Sequence, residues 1–229
     1  TQENSILGNL LLNNNLPFYK IIPTYNPSGQ PRMATGYMII GLINILFKLK
    51  IINNRTPEIL SALELIDKEQ VETEKYAKDI AEKLFNKQIF IIGAEHLAGN
   101  AHILRNQFNE SAKNFSDYFL LPELNHHLLE GLSHPDNLNN TSIFLAFNSA
   151  LYSDRIGLRL KLTDENLKKN NFDLVNLEVK GKTRIEQVLY LTAIGGFISY
   201  NLALLNKEDP SRIPWVDYFK SNLAAHDKK

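Results

Sequence analysis

The chain has 229 residues, with 25 Lys and Arg against 25 Asp and Glu, and it contains no cysteine. Balanced charge argues against a nucleic-acid-binding protein, which would carry a basic stripe. The lack of cysteine excludes disulfides, thiolate catalysis and cysteine-ligated metal sites, and it suits a cytoplasmic protein. The longest apolar run, residues 38–47, has ten residues including Asn44. A membrane span needs about twice that length, so no membrane association is expected.

The first 50 residues are predicted to contain two helices and one strand. Apolar spacing predicts a helix over residues 4–15, residues 18–22 have the composition of a β-strand, and a second helix is predicted over residues 32–49. One helix and one strand cannot bury their apolar faces alone. We therefore interpret residues 1–50 as the remnant of a first α/β domain followed by an interdomain helix.

Residues 51–87 are predicted to form a solvated helical connector. Thr56 suits the N-cap of a helix and Pro57 suits its first turn. Charges of both signs are dense between residues 67 and 83, which is typical of a solvent-exposed helix.

From residue 88 onward, strands and helices are predicted to alternate. Residues 89–93 form a short apolar run that ends in Gly93, as in a buried parallel strand. Alternation of this kind implies βαβ crossovers and a parallel sheet covered by helices on both faces. Residues 156–162 also alternate like a strand, but the crossover requirement favours a helix there. The further predicted strands are residues 118–121, 142–147 and 172–179, and the further predicted helices are residues 96–113, 183–205 and 209–223, the last beginning at Asp209-Pro210.

Glu110 lies off the apolar stripe of the predicted helix 96–113. It is about 200° around the helix from Phe108, since each residue turns about 100°, and it shares its face with Lys113. The pattern alone favours an exposed carboxylate paired with Lys113. The alternative is a carboxylate turned towards a cleft.

The densest polar cluster is residues 122–134, with three histidines and two glutamates. A metal hydrolase is one interpretation, because His127 and Glu130 could share a helical face and bind zinc or iron. The spacing matches no established metal motif, so an acid–base histidine is favoured. The metal hypothesis would use His126, His127, Glu130 and His134.

No phosphate-binding fingerprint is complete. The predicted strand ending at Gly93 is followed by residues 94–99, which fit neither the dinucleotide fingerprint nor the P-loop. Nucleotide binding is therefore disfavoured.

Four segments together resemble the bifunctional phosphoglucose/phosphomannose isomerases, enzymes of the sugar-isomerase (SIS) fold. Their order and spacing agree over nearly the whole chain, and the second and third segments together are specific. The segments are Pro31-Arg32-Met33-Ala34 with Gly36-Tyr37, Gln107-Phe108-Asn109-Glu110-Ser111-Ala112-Lys113, Pro122-Glu123-Leu124-Asn125-His126, and Glu208-Asp209-Pro210 running on to Tyr218-Phe219-Lys220.

The resemblance implies a three-layer αβα sandwich of flavodoxin type and an aldose–ketose isomerase. The enzyme would interconvert glucose 6-phosphate and mannose 6-phosphate with fructose 6-phosphate through a cis-enediol. By resemblance, Glu110 is the general base, His126 and Lys220 assist ring opening and closing, and Arg32 stabilises the enediolate. The resemblance further implies a phosphorylated hexose as substrate, no metal or cofactor, and a homodimer in which the histidine comes from the neighbouring subunit.

The chain also departs from this family, whose members have two SIS domains with the phosphate-binding loops in the first. Residues 1–24 resemble only the last helix–strand unit of that domain, and Gln2-Glu3-Asn4 stands where a Ser-Gly-Gly-like turn is usual. Residues 88–229 are thus expected to be the second SIS domain of a C-terminal portion that lacks the main phosphate site and has little activity alone. The alternative is a non-catalytic phosphosugar-binding SIS module. Retention of the four site residues argues against it, because a sensor needs no enolising base.

Overall fold

The computed structural model describes residues 1–2 and 4–226, so Glu3 and the last three residues lie outside the described part of the chain. The chain forms two compact units, residues 1–60 and 61–229. The division falls within the helix Thr56–Lys68.

The described residues contain ten α-helices and four β-strands. The helices are α1 (Ile6–Asn13), α2 (Thr35–Lys48), α3 (Thr56–Lys68), α4 (Gln70–Leu84), α5 (Ala98–Glu110), α6 (Leu124–Gly131), α7 (Leu138–Thr141), α8 (Asp154–Lys169), α9 (Arg184–Leu205) and α10 (Pro214–His226). The strands are β1 (Gln88–Ala94), β2 (Ser116–Leu121), β3 (Ser142–Asn148) and β4 (Leu174–Glu178).

Helices are the only regular secondary structure among the described residues of the first unit, so the prediction of a strand at residues 18–22 is wrong. The backbone of residues 18–22 makes two hydrogen bonds with Thr1. Thr1 N donates to Tyr19 O (2.8 Å), and Ile21 N donates to Thr1 O (2.9 Å). No second strand lies in the described part of this unit, so no ladder can form. Tyr19 packs instead on α2, where a Cβ added at Gly41 would lie 2.3 Å from the Tyr19 ring.

The second unit has a four-stranded parallel sheet in the order β2-β1-β3-β4. Helices α4, α5 and α9 cover one face, and α6 and α8 cover the other. Along β1, Ile89 and Ile91 pack into the first layer and Ile92 into the second. The predicted three-layer αβα architecture is confirmed. The ambiguous residues 156–162 lie in α8, as the crossover argument predicted.

Helix α4 is a core helix, so the expectation that residues 51–87 form a solvated connector is wrong for this part. Its apolar residues recur at intervals of three and four and form a stripe that faces the sheet layer. The other positions of the helix are densely charged, so the apolar stripe is difficult to recognise from the sequence. The completely buried residues are Ala77, Ile80, Ala81 and Leu84.

Helix α9 is long and apolar enough to cross a membrane by length and composition, but half of its most apolar window is buried within the protein. Glu186 and Gln187, in its first turn, are buried as well. The helix packs against α4 and α5. These features are those of a core helix in a three-layer domain.

Helix α10 begins at Pro214, four residues after the predicted start at Pro210. Asp209 does not cap a helix; its Oδ1 accepts from Ser211 N at 2.8 Å and closes a turn. The second proline therefore provides the first-turn position.

Candidate active site

Glu110 is the last residue of α5 and lies where that helix turns back towards the sheet. Just beyond the helix, Lys113 adopts a left-handed backbone with φ 52° and Asn114 N donates to Phe108 O (3.0 Å), so the chain reverses there.

The turn after Glu110 is fixed to the amino-terminal edge of the sheet. The Asn109 amide donates to Ser116 O (2.8 Å), at the start of β2, and the Asn114 amide donates to Lys87 O (2.9 Å), just before β1. Glu110 therefore lies beside the beginnings of these two strands.

Glu110 lines a cavity of about 770 Å³, a volume in the range of ligand-binding sites. The other walls come from residues 208–213 and from the start of α10, including Trp215. Glu110 is half-buried, and no described residue makes a hydrogen bond or ion pair with its carboxylate. A carboxylate without an internal partner is available to take a proton from a bound ligand.

Lys113, the predicted ion-pair partner of Glu110, has other contacts. Its ammonium donates to the carbonyl oxygens of Ser111 (3.2 Å) and Asp209 (2.5 Å). It lines the same cavity as Glu110, and so does Arg212. Sequence reasoning missed Arg212 because the predicted start of the last helix placed it inside that helix.

Lys220 lies on α10, whose first residues line the Glu110 cavity. It is exposed and lies six residues beyond Pro214, about 9 Å along the helix axis at 1.5 Å per residue. Lys220 does not itself line the cavity.

His126 lies near the start of α6 and lines a separate cavity of about 270 Å³, together with Asn125 and Arg159. Polar contacts hold this part of α6 on α8. The Asn125 amide donates to Thr163 Oγ1 (2.7 Å), and Arg159 donates to Asn125 Oδ1 (3.1 Å). Arg159 is a second residue that sequence reasoning missed, because it follows His126 by 33 positions and no local pattern links them.

Glu110 and His126 lie at opposite edges of the sheet. Glu110 is fixed beside the start of β2, whereas His126 follows its end. Strand β2 has six residues, so about 20 Å separates the two edges at 3.3 Å per residue. The two side chains of one chain therefore do not meet in one site.

Arg32 belongs to the first unit, in the short turn Pro31–Met33 that precedes α2. It is half-buried, and its guanidinium donates to Gln30 Oε1 at 2.9 Å.

The histidine cluster does not assemble into a metal site. His127 packs beside the ring of Phe119 (6.0 Å between centroids), and the exposed His134 pairs with Asp136 (3.1 Å). Within residues 1–2 and 4–226, no three His, Asp or Glu side chains are placed to hold one ion. The geometry therefore does not favour the metal-hydrolase interpretation.

The carboxyl ends of the parallel strands form one edge of the sheet, called here the carboxyl edge. Between β1 and β3, polar side chains of the protein itself occupy this edge. In open α/β sheets this is where ligands usually bind. The carboxylate of Glu95 accepts from Ser153 Oγ (2.6 Å), at the start of α8. Gln187 Oε1 accepts a hydrogen bond from Ser149 Oγ (2.6 Å) and lies 2.8 Å from His96 Nε2.

Comparison with known proteins identifies the family. Residues 73–223, which include Glu110, His126 and Lys220, match the model of the bacterial phospho-glucose isomerase C-terminal SIS domain. The chain belongs to this family. Arg32 lies outside the matched residues.

Two relatives of this phosphoglucose isomerase family member are bifunctional phosphoglucose/phosphomannose isomerases. The protein of Thermoplasma volcanium is 31% identical over 206 residues, which cover 86% of this chain and 62% of the relative. The protein of Caldicellulosiruptor bescii is 28% identical over 210 residues, covering 86% of this chain and 61% of the relative. The chain thus spans about three-fifths of the length of these relatives.

Solved structures support the SIS fold of this family member. A glucosamine-6-phosphate deaminase from Thermotoga maritima superimposes with a TM-score of 0.64 at 14% identity, covering 93% of this chain and 62% of that protein. A hypothetical protein from Thermus thermophilus gives a TM-score of 0.52 at 11% identity, covering 64% of this chain and 44% of that protein.

Proposed function

We propose that this chain is part of an aldose–ketose isomerase that interconverts glucose 6-phosphate and mannose 6-phosphate with fructose 6-phosphate. The observation that carries the proposal is the half-buried Glu110 carboxylate, which lines a cavity of about 770 Å³ and has no partner among the described residues. It lies within the residues that match the phosphoglucose isomerase family.

Glu110 is the general base of the proposed reaction. From the open-chain aldose, its carboxylate removes the proton on C2, which leaves a cis-enediol, and then delivers that proton to C1. One hydroxyl proton moves between O1 and O2, so the ketose forms with no net change in composition. Such chemistry needs a positioned carboxylate and donors at the sugar oxygens.

Lys220 and His126 are proposed to assist ring opening and closing, and Arg32 to stabilise the enediolate charge. Imidazole is the side-chain group best suited to exchanging protons with a ring oxygen at neutral pH. A fixed guanidinium suits an oxyanion that develops only during the reaction.

We further propose that the working enzyme is a cytoplasmic homodimer in which two subunits share each site. The support is the position of Glu110 and His126 at opposite edges of the sheet. In a symmetric dimer, Glu110 of one subunit can lie beside His126 of the other.

Replacing Glu110 by glutamine tests the proposal. The Glu110→Gln variant is expected to lose about 10²–10⁴-fold in kcat, because a carboxamide cannot accept the proton. Its free energy of unfolding should change by less than about 0.5 kcal/mol, since a negative charge at a helix C-terminus is not stabilising. The assay is the interconversion of fructose 6-phosphate with both aldose phosphates, in the longest natural polypeptide that contains this sequence and in the 229-residue chain.

The matched control is Glu82→Gln, which neutralises an exposed glutamate on α4. It should leave the rate unchanged. A Glu110→Gln variant as active as the parent protein contradicts the role of Glu110. A parent protein that binds hexose 6-phosphates without interconverting them points instead to the non-catalytic SIS module.

A further inference from the structure

Two side-chain bonds join the end of α5 to the segment that leads into α10. The Asn206 amide donates to Ala112 O (2.9 Å), and the Lys113 ammonium donates to Asp209 O (2.5 Å). We call these two bonds the α5–α10 clamp. They connect the turn that follows Glu110 with the wall on the other side of its cavity.

Both segments of the clamp have defined backbone turns. In the turn that follows α5, Lys113 has φ 52°, and in the turn that follows α9, Lys207 has φ 59°. Glycine is the usual residue at such left-handed positions. Here both positions are lysines, and one of them provides a clamp bond.

The clamp matters because packing does not hold α10. None of the described residues of α10 is buried, and Trp215 is 83% exposed. The contacts made just before Pro214 therefore define where the helix begins and in which direction it runs. Lys220 is carried by that helix, six residues further on.

We propose that Lys113 and Asn206 are positioning residues for the isomerisation, an inference that rests on the proposed function. They hold the beginning of α10 against the end of α5 and so set the place of Lys220 relative to the Glu110 carboxylate. The two groups must act on one sugar, and a displacement of about 1 Å can cost on the order of 100-fold in rate.

The kinetic test uses Lys113→Met and Asn206→Leu, each of which removes one donor of the clamp. Each is expected to lower kcat roughly 10–100-fold with KM changed less than about 3-fold, because binding groups stay while alignment is lost. The conservative Lys113→Arg keeps a donor and should recover most of the rate. The matched control is Lys87→Met, which removes a lysine–carbonyl bond of the same length, from Lys87 Nζ to Asn140 O (2.5 Å), and should leave kcat unchanged.

A second measurement reports on α10 without substrate. Trp215 is the only tryptophan in the sequence and lies at the start of α10, so intrinsic tryptophan fluorescence comes from this position alone. Loosening the clamp should lower the fluorescence anisotropy of Trp215 in Lys113→Met and Asn206→Leu but not in Lys87→Met. Far-UV circular dichroism checks that all variants are folded.

The outcomes separate the two proposals. Lower anisotropy together with lower kcat in the clamp variants supports the positioning role. Unchanged anisotropy, or unchanged kcat in an active enzyme, overturns it. A parent protein without isomerase activity contradicts the proposed function, and the positioning role then fails with it, whatever the anisotropy shows.

Discussion

Polar side chains at the two edges of the sheet differ in whether they bond to other residues of the chain. At the carboxyl edge, Glu95, His96 and Gln187 bond to other residues of the chain. At the amino edge, Glu110 lies at the end of a helix, where a negative charge is poorly placed, and its carboxylate has no partner among the described residues. Residues that go against such local preferences, here the preference against a negative charge at a helix C-terminus, are concentrated at functional sites. The contrast supports the role proposed for Glu110.

Tyr152 illustrates how the carboxyl edge is stabilised. Its hydroxyl accepts from the buried Ala94 N (3.2 Å), and burial raises the pKa of that hydroxyl above its ordinary value. We predict that Tyr152→Phe lowers the free energy of unfolding by about 1–2 kcal/mol at pH 7, because Ala94 N–H loses its acceptor.

The same variant gives a prediction for alkaline pH. Because the raised pKa belongs to the folded state, the stabilisation by Tyr152 is complete below the ordinary tyrosine pKa of about 10 and is lost as pH rises towards the raised value. The difference between parent and variant should therefore shrink between about pH 9 and pH 11 in urea unfolding. A difference that stays constant across this range contradicts the assignment; Tyr200→Phe, at an exposed tyrosine, is the control.

At the scale of elements, the sequence predicted best where apolar residues are continuous. All four strands of the sheet and helices α5, α8 and α9 were predicted, because their buried residues form runs or clear stripes. Residues 18–22 have strand composition, but a strand needs a neighbour, which depends on tertiary structure. The start of α10 was misplaced because Asp209-Pro210 and Pro214 both offer helix-start chemistry, and only the Asp209–Ser211 turn distinguishes them.

The paired glycines of α9 provide a test of its packing. A Cβ at Gly195 would lie 3.1 Å from the Leu104 side chain on α5, whereas a Cβ at Gly196 would meet open space. We predict that Gly196→Ala raises the free energy of unfolding by about 0.5–1 kcal/mol through helix propensity. Gly195→Ala should be less stable than Gly196→Ala by at least about 1 kcal/mol, because Leu104 must move. Denaturant unfolding of the two variants decides this, and equal stabilities would show that α9 does not pack closely on α5 there.

At the scale of the whole molecule, the candidate site could be predicted only in part. The roles proposed for Glu110 and His126 come from motif resemblance, and the order of strands and helices places the two residues at opposite edges of one sheet. Arg212 and Arg159 line the two cavities through contacts far apart in sequence, which no local pattern reveals. This geometry supports the central proposal, that a second subunit completes the site.

Subunit mixing tests that claim directly. Glu110→Gln and His126→Asn are each expected to be inactive as homodimers. Co-expressed with different affinity tags, in the longest natural polypeptide that contains this sequence, they form mixed dimers with one intact site, built from Glu110 of one subunit and His126 of the other. Random pairing predicts about a quarter of the parent isomerase activity in the mixture, and about half in the purified mixed dimer. A mixed dimer no more active than either variant alone contradicts the shared site.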